Sequence, residues 1–258
     1  MSSNHNSAQC AGIREFCRNR YVHGKLLDVY HFELEQNYFN AKRWLINRMV
    51  GGYGVVCGLD VRPGDDGCSV VVSPGLAIDK WGREMLVPQG ATVPIPVSAT
   101  TAPPPEPAEQ MDCADDKYVH LCLCYHECLS NPVPVLGGCC DETEACTPGT
   151  ICERYEFVLK NGKAPAVEID CTVPDLVSGG RINYPALANY VSAPCPDCAD
   201  DPCIPLANIE LPDPSKPCCQ EHIDIAVRPV VFTNDLVHDL LVCLTSKKNT
   251  QEYRGGKN

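Results

Sequence analysis

Nineteen cysteines in 258 residues constrain this chain more than any other feature, because of where they stand. Sixteen lie between Cys68 and Cys243, most of them in short stretches rich in Pro, Asp and Gly. Cys122, Cys124, Cys128, Cys139, Cys140, Cys146 and Cys152 form one cluster, and Cys195, Cys198, Cys203, Cys218 and Cys219 another. A chain of this length can bury an adequate core without staples, so thiols concentrated in polar loops point to cross-linking or metal binding rather than core filling. The odd count leaves at least one thiol outside any purely intramolecular disulfide set.

The 23 prolines and 19 glycines favour short strands joined by turns, since both residues are costly inside helices and useful between elements. A formal net charge of -12 argues against a nucleic-acid backbone or an anionic membrane as partner, because both require a basic face. Met1 to Gln9 is polar, without the basic-then-apolar order of a secretory signal, and no stretch reaches the roughly 18 apolar residues of a membrane span. Cytoplasmic synthesis without membrane insertion is the expectation.

Residues 1–22 read as an N-terminal arm. From Asp28 to Val50, Leu34, Tyr38, Ala41, Leu45 and Met49 recur at steps of three and four, predicting a helix. Asp28 supplies an N-cap, Arg43 and Arg48 lie late, and Gly51-Gly52 provides a stop. Residues 23–98 are expected to form a helix plus β-hairpin unit, with strands at 55–61, 69–73, 76–79, 84–87 and 92–97 separated by turn sequences. The Pro-rich segment 99–117 reads as a linker or excursion. Residues 118–245 form the Cys-rich β part, with strands at 118–125, 155–159, 166–171, 206–211 and 223–227 and a short terminal helix at 234–244. Residues 246–258 read as a flexible tail. The fold class is α+β and β-dominated: one long N-terminal helix, then antiparallel sheet or sandwich with Cys-rich loops and a short C-terminal helix.

Zinc requires converging thiolates or imidazoles, and closely spaced cysteines supply two ligands from one turn. Cys195 and Cys198 have that spacing, with Cys203 close behind, and Cys218, Cys219 and His222 can add ligands from another loop. Cys124, His126 and Cys128 alternate, which places them on one face of an extended strand. Structural disulfides are the competing reading for all of these cysteines, and the adjacent pairs Cys139-Cys140 and Cys218-Cys219 suit bridges to two different partners.

For catalysis there is no serine elbow, no paired-histidine metalloprotease helix and no phosphate-cradling glycine loop. His23, His31 and His238 read as surface or capping histidines, and the acidic run at 141–144 as a solvated loop. The chain is therefore expected to be a binding or structural protein, with no catalytic residues and no cofactor beyond a structural zinc. Tyr38, Phe39, Arg43, Trp44 and Arg48 form a candidate protein interface, since Trp, Tyr and Arg are the residues enriched at interface hot spots. A long helix before a sheet has two wide faces, one for the core and one for a partner.

One stretch carries a resemblance. The residues Tyr21-Val-His-Gly-Lys-Leu-Leu-Asp-Val-Tyr-His-Phe-Glu-Leu-Glu-Gln-Asn-Tyr-Phe39, then Asn47-Arg48, then Gly54-Val-Val-Cys-Gly-Leu59, resemble a signature of proteins from phage-tail-like contractile injection systems. The Pro-Gly-x-Ala-x-Asp-x-x-Gly-Arg-Glu hairpin that follows in that signature is matched by Pro74 to Glu84. The likeness covers about residues 21–97. It implies a non-enzymatic component of the baseplate or tail-fibre region, a helix plus β-rich domains, and partners that are other subunits of a large assembly, as a homo-oligomer or particle-bound. It is carried by Gly24, Gly54, Gly58, Pro74, Gly75, Gly82 and Arg83, whose chemistry suits turns better than catalysis. Release of such a particle by lysis would bring the chain outside the cell and allow later oxidation of its loops. A stand-alone module braced by structural zinc or disulfides is the alternative, and a thiol-dependent enzyme a third reading.

Overall fold

The computed structural model describes residues 10, 12, 14–96, 117–134, 146–167, 177–178, 181–211 and 220–243. Helix α1 spans Val29–Ile46. Its N-terminus is set by local chemistry. The Asp28 carboxylate accepts the His31 backbone N–H at 3.3 Å, and the His31 ring returns to the Asp28 backbone N–H at 3.4 Å. This is a capping box with histidine in place of the usual Glu or Gln, and the bond from His31 holds the Asp28 carboxyl below its ordinary range. The helix runs on into a wider π-helical turn, Asn47–Gly51, and ends at Gly52 with φ 79°.

Six short strands follow: β1 (Gly54–Gly58), β2 (Val61–Pro63), β3 (Ser69–Val72), β4 (Gly75–Ile78), β5 (Glu84–Val87) and β6 (Ala91–Pro94). They form two antiparallel sheets, ordered β1-β4-β5 and β2-β3-β6. The long strands β7 (Tyr118–Pro134) and β8 (Cys146–Asn161) pair with each other. After a two-residue hairpin of β9 (Val177–Ser178) and β10 (Arg181–Ile182) and helix α2 (Tyr184–Tyr190) come β11 (Ile204–Glu210) and β12 (Ile223–Asp224). A four-stranded antiparallel sheet results, in the order β12-β11-β7-β8. Residues 234–243 are helical and are called α3 below.

Period-two burial marks the inward faces, as expected where only one face of a strand meets the core. Met85 and Val87 of β5 are buried while Leu86 between them is exposed, and Val70 and Val72 of β3 flank exposed Val71. These residues, with Leu59, Val61, Leu121, Leu123, Ile204, Leu206 and Ile209, form a single continuous core. Each fully buried aliphatic side chain contributes about 1.5–3 kcal/mol by leaving water.

The β-dominated α+β class, the long N-terminal helix and the short C-terminal helix agree with expectation. Residues 23–98 and 118–245, expected as separate units, share this one core. Strand β7 is about twice, and β8 about three times, as long as the apolar patterns suggested. The β9–β10 hairpin and α2 were not anticipated, although Asn183, which caps α2 through its side chain, and Pro185 in its first turn are recognisable start signals. The expected strand at 223–227 shrinks to two residues. Most of the 99–117 segment, the 168–171 part of another expected strand, and the 246–258 tail lie outside the described residues.

Candidate interaction surface

The hairpin between β4 and β5 clamps the end of α1 to the body. Gly82 has φ 91°, and a Cβ there would stand 2.0 Å from the Trp44 carbonyl oxygen, so only glycine lets the helix approach this closely. The Asn47 amide donates to the Gly82 carbonyl at 2.9 Å and to the Glu84 carboxylate at 2.8 Å, and Arg43 pairs with Glu84 at 3.1 Å. Beneath them the Asp79 carboxylate, fully buried, accepts the backbone N–H groups of Trp81 and Arg83 and pairs with the Arg83 guanidinium at 2.6 Å. That guanidinium lies between two rings, 4.6 Å from the Trp81 centroid and 4.4 Å from that of Tyr125. Burial pushes the Asp79 carboxyl above its ordinary value, and Arg83 opposes the rise. The residues of the Pro74 to Glu84 motif thus join helix to sheet.

The N-terminal arm covers one flank of α1. Tyr21 donates to the Glu35 carboxylate, and the Lys42 ammonium lies 5.3 Å from the Phe16 ring centroid and 5.7 Å from that of Tyr38. The side of α1 turned inward carries Leu34, Tyr38, Ala41, Trp44, Leu45 and Arg48, all buried or half-buried.

The opposite side also carries apolar residues. Phe32, Phe39 and Ile46 recur at steps of seven and are 54%, 61% and 57% exposed, and Val50 is 82% exposed one turn further. From Phe32 to Ile46 the stripe runs about 21 Å at 1.5 Å per residue. Gln36 and Arg43 stand between them on the same side, so the exposed apolar side chains form a row rimmed by polar ones. Ahead of the helix, Tyr21, Val22 and Leu26 are exposed as well.

Of the five expected interface residues, Phe39 and Arg43 lie on this outward side. Tyr38, Trp44 and Arg48 turn toward the arm and body, and Arg43 is held by Glu84 and Glu153. Phe32, Ile46 and Val50 were missed. Their signal, apolar residues at intervals of seven, lay in the same window as the inward pattern and was masked by it.

The cysteine candidates are placed as follows. Cys10 is bonded to Cys198 and Cys124 to Cys203, so Cys124, Cys198 and Cys203, three of the candidate metal ligands, stand in disulfides. His126 and Cys128 share a face of β7 but lose Cys124 from their set, and Cys195 is exposed with a free thiol. His222 sits in a short 3₁₀ turn beside Glu221 and Asp224. Cys218 and Cys219 lie outside the described residues, as do Cys139, Cys140 and the 141–144 acidic run. Among the described residues no group of three or more His, Cys, Asp or Glu converges as a metal site.

The two bridges fasten the 195–203 loop to the arm and to β7. Arg48 donates to both sulfurs of the Cys10–Cys198 bridge, at 3.0 and 2.9 Å. The Trp81 indole N–H donates to the Ala199 carbonyl at 2.7 Å, the Lys80 N–H to Pro202 at 3.1 Å, and Lys160 pairs with Asp201. Cys122 is buried under this loop, and burial pushes its thiol up to about 11. The arm, α1 and the sheet are therefore one braced unit carrying an uncovered apolar helix face. No helix among the described residues is long and apolar enough to cross a membrane.

Compared with models of known protein families, the chain matches none. No curated protein matches it either.

Proposed function

We propose that this chain is a non-enzymatic structural and assembly protein of a phage-tail-like contractile injection particle, in the baseplate or fibre-attachment region. It docks on a neighbouring subunit through the outward face of α1. The observation that carries this reading is the stripe of Phe32, Phe39, Ile46 and Val50, solvent-exposed on a helix whose other face is already seated. Exposed apolar side chains gathered on one side of a helix and rimmed by polar residues are the kind of surface that marks an interaction site when it forms a large patch. The rigid clamp and the two disulfides support it, because a preorganised face loses less entropy on docking. The resemblance over residues 21–97 supplies the kind of particle, and one of the residues that carry it, Gly82, packs directly against α1 at Trp44.

The test is sedimentation of a native lysate, probing the fraction that contains large tail-like particles. Cosedimentation that survives moderate salt is the expected result, since an apolar contact is not screened as ion pairs are. A small soluble species under all conditions would overturn the assembly reading. It would favour a stand-alone, disulfide-braced protein-binding module, for which the two observed bridges speak.

A further inference from the structure

Past Leu123, β7 leaves the four-stranded sheet. Strand β11 pairs with β7 only from Tyr118 to Leu123, whereas β8 continues opposite β7 as far as Pro134. The distal part of the hairpin is thus a two-stranded arm, and Leu129 and Ile151, directly opposite each other on it, are 58% and 62% exposed. A two-stranded ribbon alone is marginally stable in water. Within this arm Cys128 and Cys152 are also directly opposite each other, both half-buried and both free thiols.

Residues facing each other across an antiparallel pair place their Cβ atoms about 4.5–5.5 Å apart, so a local shift of about 1 Å brings them to the roughly 3.5–4.5 Å that a disulfide spans. The surroundings are polar and reachable. The Ser130 hydroxyl lies 3.2 Å from the Cys152 sulfur, and the Arg154 guanidinium stands beside Cys128. Two further cysteines of this region, Cys124 and Cys203, have already paired, while Cys122 is sealed in the core.

We propose that Cys128 and Cys152 are a modification site: a cross-strand dithiol that closes into a third disulfide by exchange with a small-molecule disulfide of the glutathione class, locking the arm. One cysteine sulfur, as thiolate, attacks a sulfur of the small disulfide and expels one small thiolate, leaving a mixed disulfide on the protein. The facing cysteine then attacks the protein sulfur of that mixed disulfide and expels the second. Two S–H bonds are lost and one S–S bond is formed. The two electrons and two protons leave on the small molecule, which is reduced to two thiols.

The full chain is equilibrated in glutathione buffers from strongly reducing to strongly oxidising, trapped with an alkylating agent and mapped as peptides without reduction. In the oxidising buffers the expected product is one peptide pair joined through Cys128 and Cys152, which reopens when reduced glutathione is in excess. Amide exchange across residues 126–134 and 146–154 should then slow by about tenfold, because cross-linking restricts local opening. In C128S, Cys152 should stop at the mixed disulfide with glutathione. The proposal is overturned if both thiols stay alkylatable throughout, if they pair with other cysteines such as Cys139 or Cys140, or if closure leaves exchange in the arm unchanged.

Discussion

Replacing Arg83 with Met leaves Asp79 as a buried carboxylate without its cation. The carboxylate is fully buried and the Arg83 side chain is 6% exposed, so neither group recovers hydration when the other goes. Removing one partner of such a pair costs about 3–5 kcal/mol, and losing the guanidinium from between Trp81 and Tyr125 adds about 0.5–2 kcal/mol per ring. A total of about 4–9 kcal/mol corresponds to a fall of roughly 10 °C or more in Tm for a chain of this size. Urea unfolding of R83M against wild type measures it, and the double variant D79N/R83M should recover part of the loss, because the orphaned charge is gone. The dependence on pH has a definite sign. Burial already raises the Asp79 carboxyl, and without Arg83 it rises further. The folded variant then binds the proton more tightly than the unfolded chain. Its stability is fullest below the unfolded carboxyl's value of about 3.9 and declines as pH rises through the folded value. An R83M stability within about 1 kcal/mol of wild type, with no such trend, would refute the view that this pair anchors the clamp.

Three other outcomes are expected. D28A removes the cap of α1 and should cost about 1 kcal/mol, read by urea unfolding, with faster amide exchange confined to the first turn of the helix. C10S opens the bridge to Cys198, which spans 188 residues of sequence; a loss of about 2–4 kcal/mol is expected from unfolding without reductant. Burial raises the Cys122 thiol to about 11, so the folded form holds this proton more tightly than the unfolded chain does. The contribution is intact below the unfolded thiol's value of about 8.5 and fades as pH climbs toward 11, where alkylation of Cys122 should accelerate.

The features legible in the sequence are those set by neighbours in the chain. Asp28 announces the start of α1 because a cap is a matter of three or four residues, and the turn-rich Pro74 to Glu84 segment reads as a hairpin for the same reason. The distal halves of β7 and β8 were hidden because they pair only with each other. Largely exposed and carrying Pro132, Pro134 and Pro148, they lack the apolar alternation that a core imposes. The pairing of Cys10 with Cys198 brings opposite ends of the chain together, and no local spacing encodes it. Sequence reasoning expected a core face and a second face on α1 but did not separate their residues. Tyr38, Trp44 and Arg48 are aromatic or basic and resemble hot spots, yet the position of the Gly82 clamp turns them inward and leaves Phe32, Phe39 and Ile46 outside.

The most direct test of docking through α1 compares wild type with F39D and I46D in the sedimenting particle fraction. Both side chains are more than half exposed, so the isolated variants should melt within about 0.5 kcal/mol of wild type. Both are expected to leave the particle fraction while remaining folded. If folded F39D and I46D sediment with the particles as wild type does, the outward face of α1 is not the docking surface.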